Sequence, residues 1–342
     1  MASIAVSPDG GIFSIVNNKG LYHTDTNRHT TRCLGAPQNS SCIFLDSHGT
    51  YWLGTWDGLF TFDPATGKCT TVKSLPEHGI LYMAEDKSGR IYYNVIGDGF
   101  EILDVATRRT KRYNSKSRLN GNGVRLSNDW TGEMYCDSKG LIWIATSSGM
   151  NCYDPDEDCF VKIDKDKGLL HDKCITSMCE TDAHDLVIGT TNGVYLYQRG
   201  QNEVIMLPGS DELRDMRMLK LVKDKSGDIW MSSMKGIWQY KTNEQKLISH
   251  YGSNGIVEEE FNRGVCYFAN DDCIVFGANS CVTYFRPKDV YNGENHLGEV
   301  VLTRFASMSN TYDIFSDTFV IPCDDNSLAS SFHCSTIRML PT

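Results

Sequence analysis

The sequence lacks any run of about twenty apolar residues, the length that a membrane-spanning helix needs. Its opening residues, MASIAVSPDGGIFSIV, contain no basic segment followed by an apolar stretch, so no export signal is visible. A mature chain whose signal has been removed would look the same. Lysines and arginines form no cluster and the net charge is −10, whereas nucleic acid requires a basic face. We therefore expect no nucleic-acid partner.

Cys-x-x-Cys pairs are also missing, although the chain contains thirteen cysteines. No His/Cys cluster has zinc-finger spacing, so we expect no metal site and no cofactor. Most cysteines lie among β-branched or aromatic neighbours, where a thiol acts as a small apolar core side chain. Taken alone, this cysteine usage favours a reducing compartment.

Helical periodicity is nearly absent. GSDELRDMRMLKL (209–221) is a modest helical candidate, which we interpret as a loop. The 40% hydrophobic content nevertheless supports a substantial core. What the sequence has instead is a repeated phrase: Asp-x-x-Gly, an apolar–Trp–apolar run, Thr-x-x-Gly, and a strand ending in Asp-Pro. It stands clearly at 46–64 and again at 137–156.

The phrase occurs seven times along the chain. Its successive anchor positions are separated by 38, 40, 51, 44, 43 and 45 residues, and they are Gly11, Gly49, Gly89, Gly140, His184, Gly227 and Asp272. The copy at Gly11 is weaker, and the copies at His184 and Asp272 keep the frame but lose the glycine. In the four clear copies the Asp side chain and the glycine favour a tight turn between two strands. A period of this length with β-type content is typical of a propeller, because one thin sheet cannot bury both of its faces alone.

We therefore predict an all-β fold: a seven-bladed β-propeller over 2–297, with a partial β-sandwich tail. Residues 298–342 contain strand-like runs but no copy of the phrase. About forty residues are too few for an independent domain, so we interpret them as the truncated start of a β-sandwich.

The repeat resembles the two-component regulator propeller repeat of hybrid two-component histidine kinases. The seventh copy is similar to the closing blade of that family, with Glu260-Phe261-Asn262, Phe276-Gly277-Ala278 and Phe285-Arg286-Pro287. EVVLTRF (299–305) resembles the opening of the immunoglobulin-like domain that follows the propeller in the family.

The resemblance implies a periplasmic sensor region within an inner-membrane receptor. The parent protein would be a membrane-anchored homodimer that senses an oligosaccharide and regulates polysaccharide-utilisation genes. This chain would bind ligand without catalysis, since it contains no kinase element. The implied periplasmic location outweighs the cysteine argument.

A ligand is expected at the end of the propeller where the loops entering each blade meet the turns between the second and third strands. Sugars need planar hydrogen-bonding groups and aromatic faces, and arginines would suit an anionic glycan. The predicted ligand-binding residues are Trp56, His78, Arg125, Asn128, Trp130, His171, Arg214, Arg217, Asn262 and Arg263. By contrast, we assign Trp52, Trp143 and Trp230 to packing between blades, because they occupy the repeat's own Trp position.

Two other classes of function remain open. A propeller enzyme, either a lyase of the streptogramin-inactivating kind or a glycan-acting enzyme, would need a His/carboxylate pair, for which His78 and His171 are the candidates. A protein-binding scaffold of the WD40 kind would carry Gly-His and Trp-Asp pairs, which this sequence lacks. The run 258–260 of three glutamates on an extended strand would point its carboxylates alternately apart, which disfavours a metal site.

Overall fold

A computed structural model of the chain shows an all-β protein. The structure describes residues 3–16, 19–25, 30–35, 37, 39–75, 78–117, 124–163, 170, 173–250, 261–269, 273–278, 282–290, 300–307, 311–312 and 328–334. For 262–269, 300–307, 311–312 and 328–334 it describes the backbone alone.

The first three blades are four-stranded antiparallel sheets with strands in chain order. Blade one contains β1 (Ser3–Val6), β2 (Ile12–Val16), β3 (Gly20–Asp25) and β4 (Thr30–Cys33). Blade two contains β5 (Ser40–Leu45), β6 (Tyr51–Thr55), β7 (Gly58–Asp63) and β8 (Lys68–Ser74). Blade three contains β9 (Met83–Glu85), β10 (Ile91–Asn94), β11 (Phe100–Asp104) and β12 (Arg109–Tyr113).

The next three blades repeat this arrangement. Blade four contains β13 (Thr131–Cys136), β14 (Ile142–Thr146), β15 (Gly149–Asp154) and β16 (Cys159–Val161). Blade five contains β17 (Ile175–Glu180), β18 (Leu186–Thr190), β19 (Gly193–Gln198) and β20 (Glu203–Met206). Blade six contains β21 (Met218–Lys223), β22 (Ile229–Ser233), β23 (Gly236–Lys241) and β24 (Lys246–His250).

Two three-stranded sheets complete the described chain. The first has the order β25 (Phe261–Ala269), β26 (Cys273–Ala278) and β27 (Val282–Phe285). Its strand β25 contacts β21 of blade six and β1 of blade one. The second contains β28 (Val300–Ser307), β29 (Thr311–Tyr312) and β30 (Leu328–Cys334), in the order β29–β28–β30.

The all-β propeller expected from the repeats is therefore present with six four-stranded blades. The expected seven blades and the sandwich tail are not confirmed. The sheet β25–β27 has three described strands, and residues 291–299, which would supply a fourth, lie outside the described part of the chain. The described residues of the tail form one small sheet, and a sandwich requires two.

The loop interpretation of 209–221 holds for its first half only. Asp211–Leu213 form a single 3₁₀ turn, and the second half becomes the first strand of blade six. No α-helix occurs among the residues that the structure describes. No helix in that part of the chain is long and apolar enough to cross a membrane.

In blades two, three, four and six, the turn aspartate is bonded to the buried aromatic residue six positions later. In blade two, Asp46 Oδ1 accepts backbone N–H groups from His48 (3.0 Å) and Thr50 (2.7 Å), and Oδ2 accepts the Trp52 indole N–H at 2.8 Å. The corresponding bonds elsewhere are Tyr92 to Asp86 (3.0 Å), Trp143 to Asp137 (2.8 Å) and Trp230 to Asp224 (2.9 Å). The three tryptophans are at most 3% exposed, which confirms their assignment to the core.

A buried polar cluster joins the first strands of blades four, five and six. Lys220 Nζ lies 2.6 Å from Glu133 Oε1, and the Ser177 hydroxyl donates to the same oxygen at 3.4 Å. Burial raises the pKa of the Glu133 carboxyl, and the neighbouring Lys220 charge opposes that shift. Because the cluster spans three consecutive blades, it fixes their mutual arrangement.

The described cysteines fit the predicted core role only in part. The nine whose side chains are described are free thiols, and Cys42, Cys152 and Cys179 are buried in the core. Burial raises the pKa of the Cys42 thiol to about 12, so that thiol stays protonated and unreactive. Cys33 and Cys174 are exposed and do not fit the core interpretation.

We expect Asp46→Ala to destabilise the protein by about 2–4 kcal/mol, because it leaves a buried indole N–H and two turn amides without an acceptor. Asp63→Ala is the matched control, since Asp63 caps an exposed turn in the same blade, and it should change stability by less than about 1 kcal/mol. Urea denaturation measures both. Equal losses for the two variants would contradict the role given to the aspartate–indole bond.

A second prediction concerns acid stability. His250 is 3% exposed and stacks on Trp230 with ring centroids 5.3 Å apart, and burial lowers its pKa from 6.5 to about 4. Between these values the unfolded chain binds the additional proton. His250 therefore contributes full stability above pH 6.5, and up to about 3 kcal/mol is lost as the pH falls to about 4.

The test measures the free energy of unfolding from pH 7.5 to about pH 4. His250→Phe keeps a ring on Trp230 and should flatten the profile in that window, whereas His48→Gln, at an exposed histidine, should not alter it. An unchanged slope in His250→Phe would exclude His250 as the source.

Candidate functional site

We define the loop face as the end of the propeller where the turns between second and third strands meet the loops leading into the first strands. The two most exposed large apolar side chains among the described residues lie there: Trp56 at 52% and Trp130 at 60%. An exposed indole is an unusual surface residue, and two of them suggest a binding site.

Trp56 is held between blades two and three. Its backbone N–H donates to the Asn39 carbonyl at 3.2 Å. A Cβ atom at Gly79 would lie 2.7 Å from Trp56 Cε3 and 2.8 Å from Ile96 Cδ1. The indole therefore lies directly over the Gly79 backbone, and only glycine leaves room for it.

Trp130 is held between blades three and four. Its backbone N–H donates to Asn128 Oδ1 at 2.8 Å, and its carbonyl accepts the Ser147 N–H at 3.0 Å. The Asn128 amide also donates to the Ser148 hydroxyl at 3.1 Å. Asn128 thus positions Trp130, although it was predicted as a ligand contact.

Both indoles flank one turn, the link between β10 and β11 that contains Ile96, Gly97 and Asp98. Trp56 borders it through Ile96, and Trp130 Cζ2 lies 3.9 Å from the position that a Cβ atom on Gly97 would occupy. We call Trp56, Trp130, His78 and Asp98, arranged around this turn, the tryptophan site.

His78 contributes a hydrogen-bond acceptor to the tryptophan site. Its Nδ1 lies 3.1 Å from the Ile96 carbonyl, which can only accept. Nδ1 must therefore carry the proton, and Nε2 of the neutral ring remains an acceptor.

Asp98 contributes a carboxylate. It forms an ion pair with Arg112 Nη1 at 2.5 Å, and it accepts the Asn114 amide at 2.9 Å. Partial burial opposes its ionisation, but the hydrogen bonds from Asn114 and Arg112 outweigh burial and lower its pKa. Arg112 also pairs with Glu101 at 2.7 Å, so this group of two carboxylates and one guanidinium carries a net negative charge.

The predicted arginines are not joined to the tryptophan site by any of these contacts. Arg214 pairs with Asp211 at 3.1 Å on the exposed surface of the loop before blade six. Arg217 is half-buried, and within the described residues its Nε has no hydrogen-bond partner. Arg125 is exposed, and its carbonyl accepts the Asn151 amide at 3.3 Å.

The other three predicted residues lie where the structure describes the backbone alone or lie outside the described residues. His171 lies outside the described residues, as do Glu258–Glu260. Asn262 and Arg263 lie in β25, where the structure describes the backbone alone. The structure therefore brings together Trp56, His78 and Trp130, with Asn128 in support.

Gly79, Gly97 and Arg112 were missed by the sequence analysis. One signal could have found the blade-three turn. The signal is the length of this turn. Val95 and Gly99 are four residues apart, whereas the Thr and Gly of the Thr-x-x-Gly turns in other blades, such as Thr55 and Gly58, are three residues apart. The additional residue brings Asp98 into the turn.

A Ser–His–carboxylate grouping occurs at the opposite end of the propeller. Ser138 Oγ lies 2.9 Å from His184 Nδ1, and the same hydroxyl donates to Glu180 Oε1 at 2.9 Å. Glu180 Oε1 also lies 3.4 Å from the same ring nitrogen, His184 Nδ1. A catalytic relay needs the serine and the carboxylate on different ring nitrogens. This grouping instead joins blades four and five.

Sequence comparison finds one relative that covers almost the whole chain. No family model matches the chain. Histidine kinase P4 of Formosa agariphila is 28% identical over 352 residues, an alignment that covers 95% of this chain and 25% of the kinase. The chain therefore spans about a quarter of that relative's length.

Structure comparison finds the same class of protein. Two extracellular domains of putative hybrid two-component systems from B. thetaiotaomicron are similar. The first has a TM-score of 0.71 and 19% sequence identity, and the match covers 98% of this chain and 46% of that chain. The second has a TM-score of 0.67 and 16% sequence identity, and the match covers 90% of this chain and 41% of that chain. These comparisons confirm the resemblance to the sensor regions of hybrid histidine kinases. Both neighbours are extracellular domains, in agreement with the expected periplasmic location.

Virginiamycin B lyase from Staphylococcus aureus is also similar in fold. Its TM-score is 0.62 at 12% identity, over 83% of this chain and 93% of the lyase. Identities this low show a shared propeller fold and no more.

We expect Gly79→Ala to displace the Trp56 indole, because the new methyl would overlap its ring edge and the Ile96 side chain. Gly200→Ala is the matched control, since an added Cβ there meets nothing within 4 Å. In ¹⁵N-edited NMR spectra, the Trp56 indole cross-peak, assigned with Trp56→Phe, should move in the first variant alone. An unmoved cross-peak would contradict the seat described for Trp56.

Proposed function

We propose that this chain is the ligand-sensing region of a periplasmic receptor, a hybrid two-component histidine kinase, and that the tryptophan site binds an oligosaccharide. The observation that carries the proposal is the pair of exposed indoles on either side of one turn. Sugar rings present C–H faces that pack on indoles, while their hydroxyl groups donate to acceptors such as the Asp98 carboxylate and His78 Nε2. Histidine kinase P4 and the two extracellular domains of putative two-component systems support the sensing role.

The charge of the site favours an uncharged sugar. Arg112 pairs with Asp98 and is shared with Glu101. A sulfate or uronate at the turn would face the Asp98 carboxylate, and like charges at short range repel. This argues against an anionic glycan held by arginines at the tryptophan site.

We further propose that β25–β27 belongs to a seventh blade and that the propeller extends over 2–297. Two observations support this. Strand β25 contacts both β21 and β1, and Val275 packs with Ile4, Val6 and Ile12 of blade one in a buried cluster. Residues 298–342 would then begin the immunoglobulin-like domain, with the sheet β28–β30 as its first part.

The signalling step follows from the expected parent protein. A membrane-anchored homodimer can respond only if ligand binds its two arrangements with different affinity. An oligosaccharide bridging the tryptophan site and a neighbouring domain would provide that difference. Regulation of polysaccharide-utilisation genes would be the output.

A propeller enzyme with its site on the loop face is the second candidate. The observation in its favour is His78, whose Nε2 has no hydrogen bond among the described residues and could act as a general base beside the two indoles. Asp98 does not complete an acid–base pair, because its lowered pKa keeps it ionised and Arg112 already binds it. Turnover of a glycan by this chain would favour the enzyme.

Trp56→Ala and Trp130→Ala should each weaken oligosaccharide binding about tenfold, since each removes a stacking surface that contributes roughly 1–2 kcal/mol. Met234→Ala is the matched control, because Met234 is exposed on the loop face of another blade and should leave the affinity unchanged. Calorimetric titration with a panel of neutral and acidic oligosaccharides measures all three. If both tryptophan variants bind an oligosaccharide as tightly as the wild-type protein, the proposed site is wrong. If the wild-type protein binds none of the oligosaccharides in the panel, the result counts against the proposed function.

A further inference from the structure

A cavity of about 300 Å³ lies between blades five and six, at the end opposite the loop face. It opens beside the turn that joins β17 to β18, whereas the tryptophan site involves turns between second and third strands. Its apolar wall consists of Val187, Leu196, Leu207, Ile229 and Tyr240, and its polar rim includes Thr181, Asp182, Asp185, Ser226, Thr242, Asn243 and Gln245.

The cavity arises where blade five departs from the repeat. In blades two, four and six, the turn aspartate is followed six residues later by a tryptophan, and the two are hydrogen-bonded. In blade five these two positions are Thr181 and Val187. Both line the cavity.

The neighbouring junction shows what normally fills this space. Between blades four and five, Trp143 packs on Tyr197 with centroids 5.8 Å apart, and the Arg199 guanidinium lies 5.2 Å over the Trp143 ring. The strand registers make Val187, Tyr240 and Thr242 the counterparts of these three residues. The tyrosine remains at the five–six junction, but the indole and the guanidinium are gone.

The rim supplies hydrogen-bond acceptors where the indole N–H points in the other blades. The Thr181 hydroxyl stands at the position of the aspartate acceptor and itself accepts the Asp185 N–H at 3.1 Å. The Asp182 carboxylate, paired with Lys223 at 2.6 Å, lies beside Gly227, where a Cβ would approach Asp182 Oδ2 to 2.6 Å. The cavity thus combines a flat apolar slot with acceptors at its mouth.

We propose that this junction cavity is a second ligand site, which takes a small planar aromatic molecule carrying an N–H or O–H donor. In three other blades an indole, an aromatic ring system of this size, fills the equivalent space. The volume lies at the lower end of small-molecule pockets. The site is independent of the tryptophan site, and both can be occupied together.

Indole itself is the probe. It should perturb amide signals of residues that line the cavity in NMR spectra, with a Kd on the order of 0.1–1 mM for a ligand of this size. Val187→Trp combined with Thr181→Asp restores the repeat pair inside the cavity. We expect this variant to melt a few degrees higher and to bind indole at least tenfold more weakly.

Val105→Trp is the matched control, because it makes the same substitution at an exposed position of blade three and should leave indole affinity unchanged. If the double variant does not fold, Thr242→Arg tests the same space from the rim and should also weaken binding. Absence of indole binding by the wild-type protein up to about 5 mM, or unchanged affinity in the folded cavity-filling variant, would overturn the proposal.

Discussion

The hydrogen bond between a turn carboxylate and a buried indole connects the surface of this propeller to its core. A tryptophan can fill the space between two blades only if its N–H finds an acceptor there, because an unpaired buried donor is costly. Asp46, Asp137 and Asp224 each supply that acceptor while their other oxygen binds turn amides. The turn at the edge of a blade and the packing between blades therefore form one unit, and the repeat must keep both residues together.

This coupling leaves the opposite end of the propeller free to vary. The loops that enter each blade and the turns between second and third strands take no part in the carboxylate–indole bonds, so they can change length without loss of those bonds. Blade three uses that freedom: one additional residue brings Asp98 into its turn, and the glycine at 79 leaves room for the Trp56 indole. The rigid sheets beneath then fix the positions of side chains that belong to three different blades.

The difference between the repeated packing between blades and the variable loop face also explains how much of the structure the sequence could predict. The fold, the turn aspartates and the buried tryptophans follow from a period and a six-residue spacing, both of which are local. For Trp56, His78 and Trp130, the sequence predicted only that they lie on the same face of the propeller, not that they lie close together. The pairing of Arg112 with Asp98 and Glu101 depends on the register that sets Glu101 opposite Arg112, and spacing alone does not determine that register. Arg214 and Arg217 shared a face with the site by the same reasoning, yet no described contact brings them to it.

The departures from the repeat are then the places where chemistry other than packing can arise, and blade five shows why two positions change together. Losing the aspartate alone would leave an indole N–H without an acceptor, and losing the tryptophan alone would leave a carboxylate facing an apolar gap. Both arrangements are unfavourable. Replacing the pair by Thr181 and Val187 removes the donor and the charge at once, and what remains is an accessible cavity with an apolar wall and a polar rim that includes Asp182 and Asp185. The propeller can therefore lose the carboxylate–indole bond in one blade without losing its fold. The neighbouring blades then hold open the space that the indole would have filled.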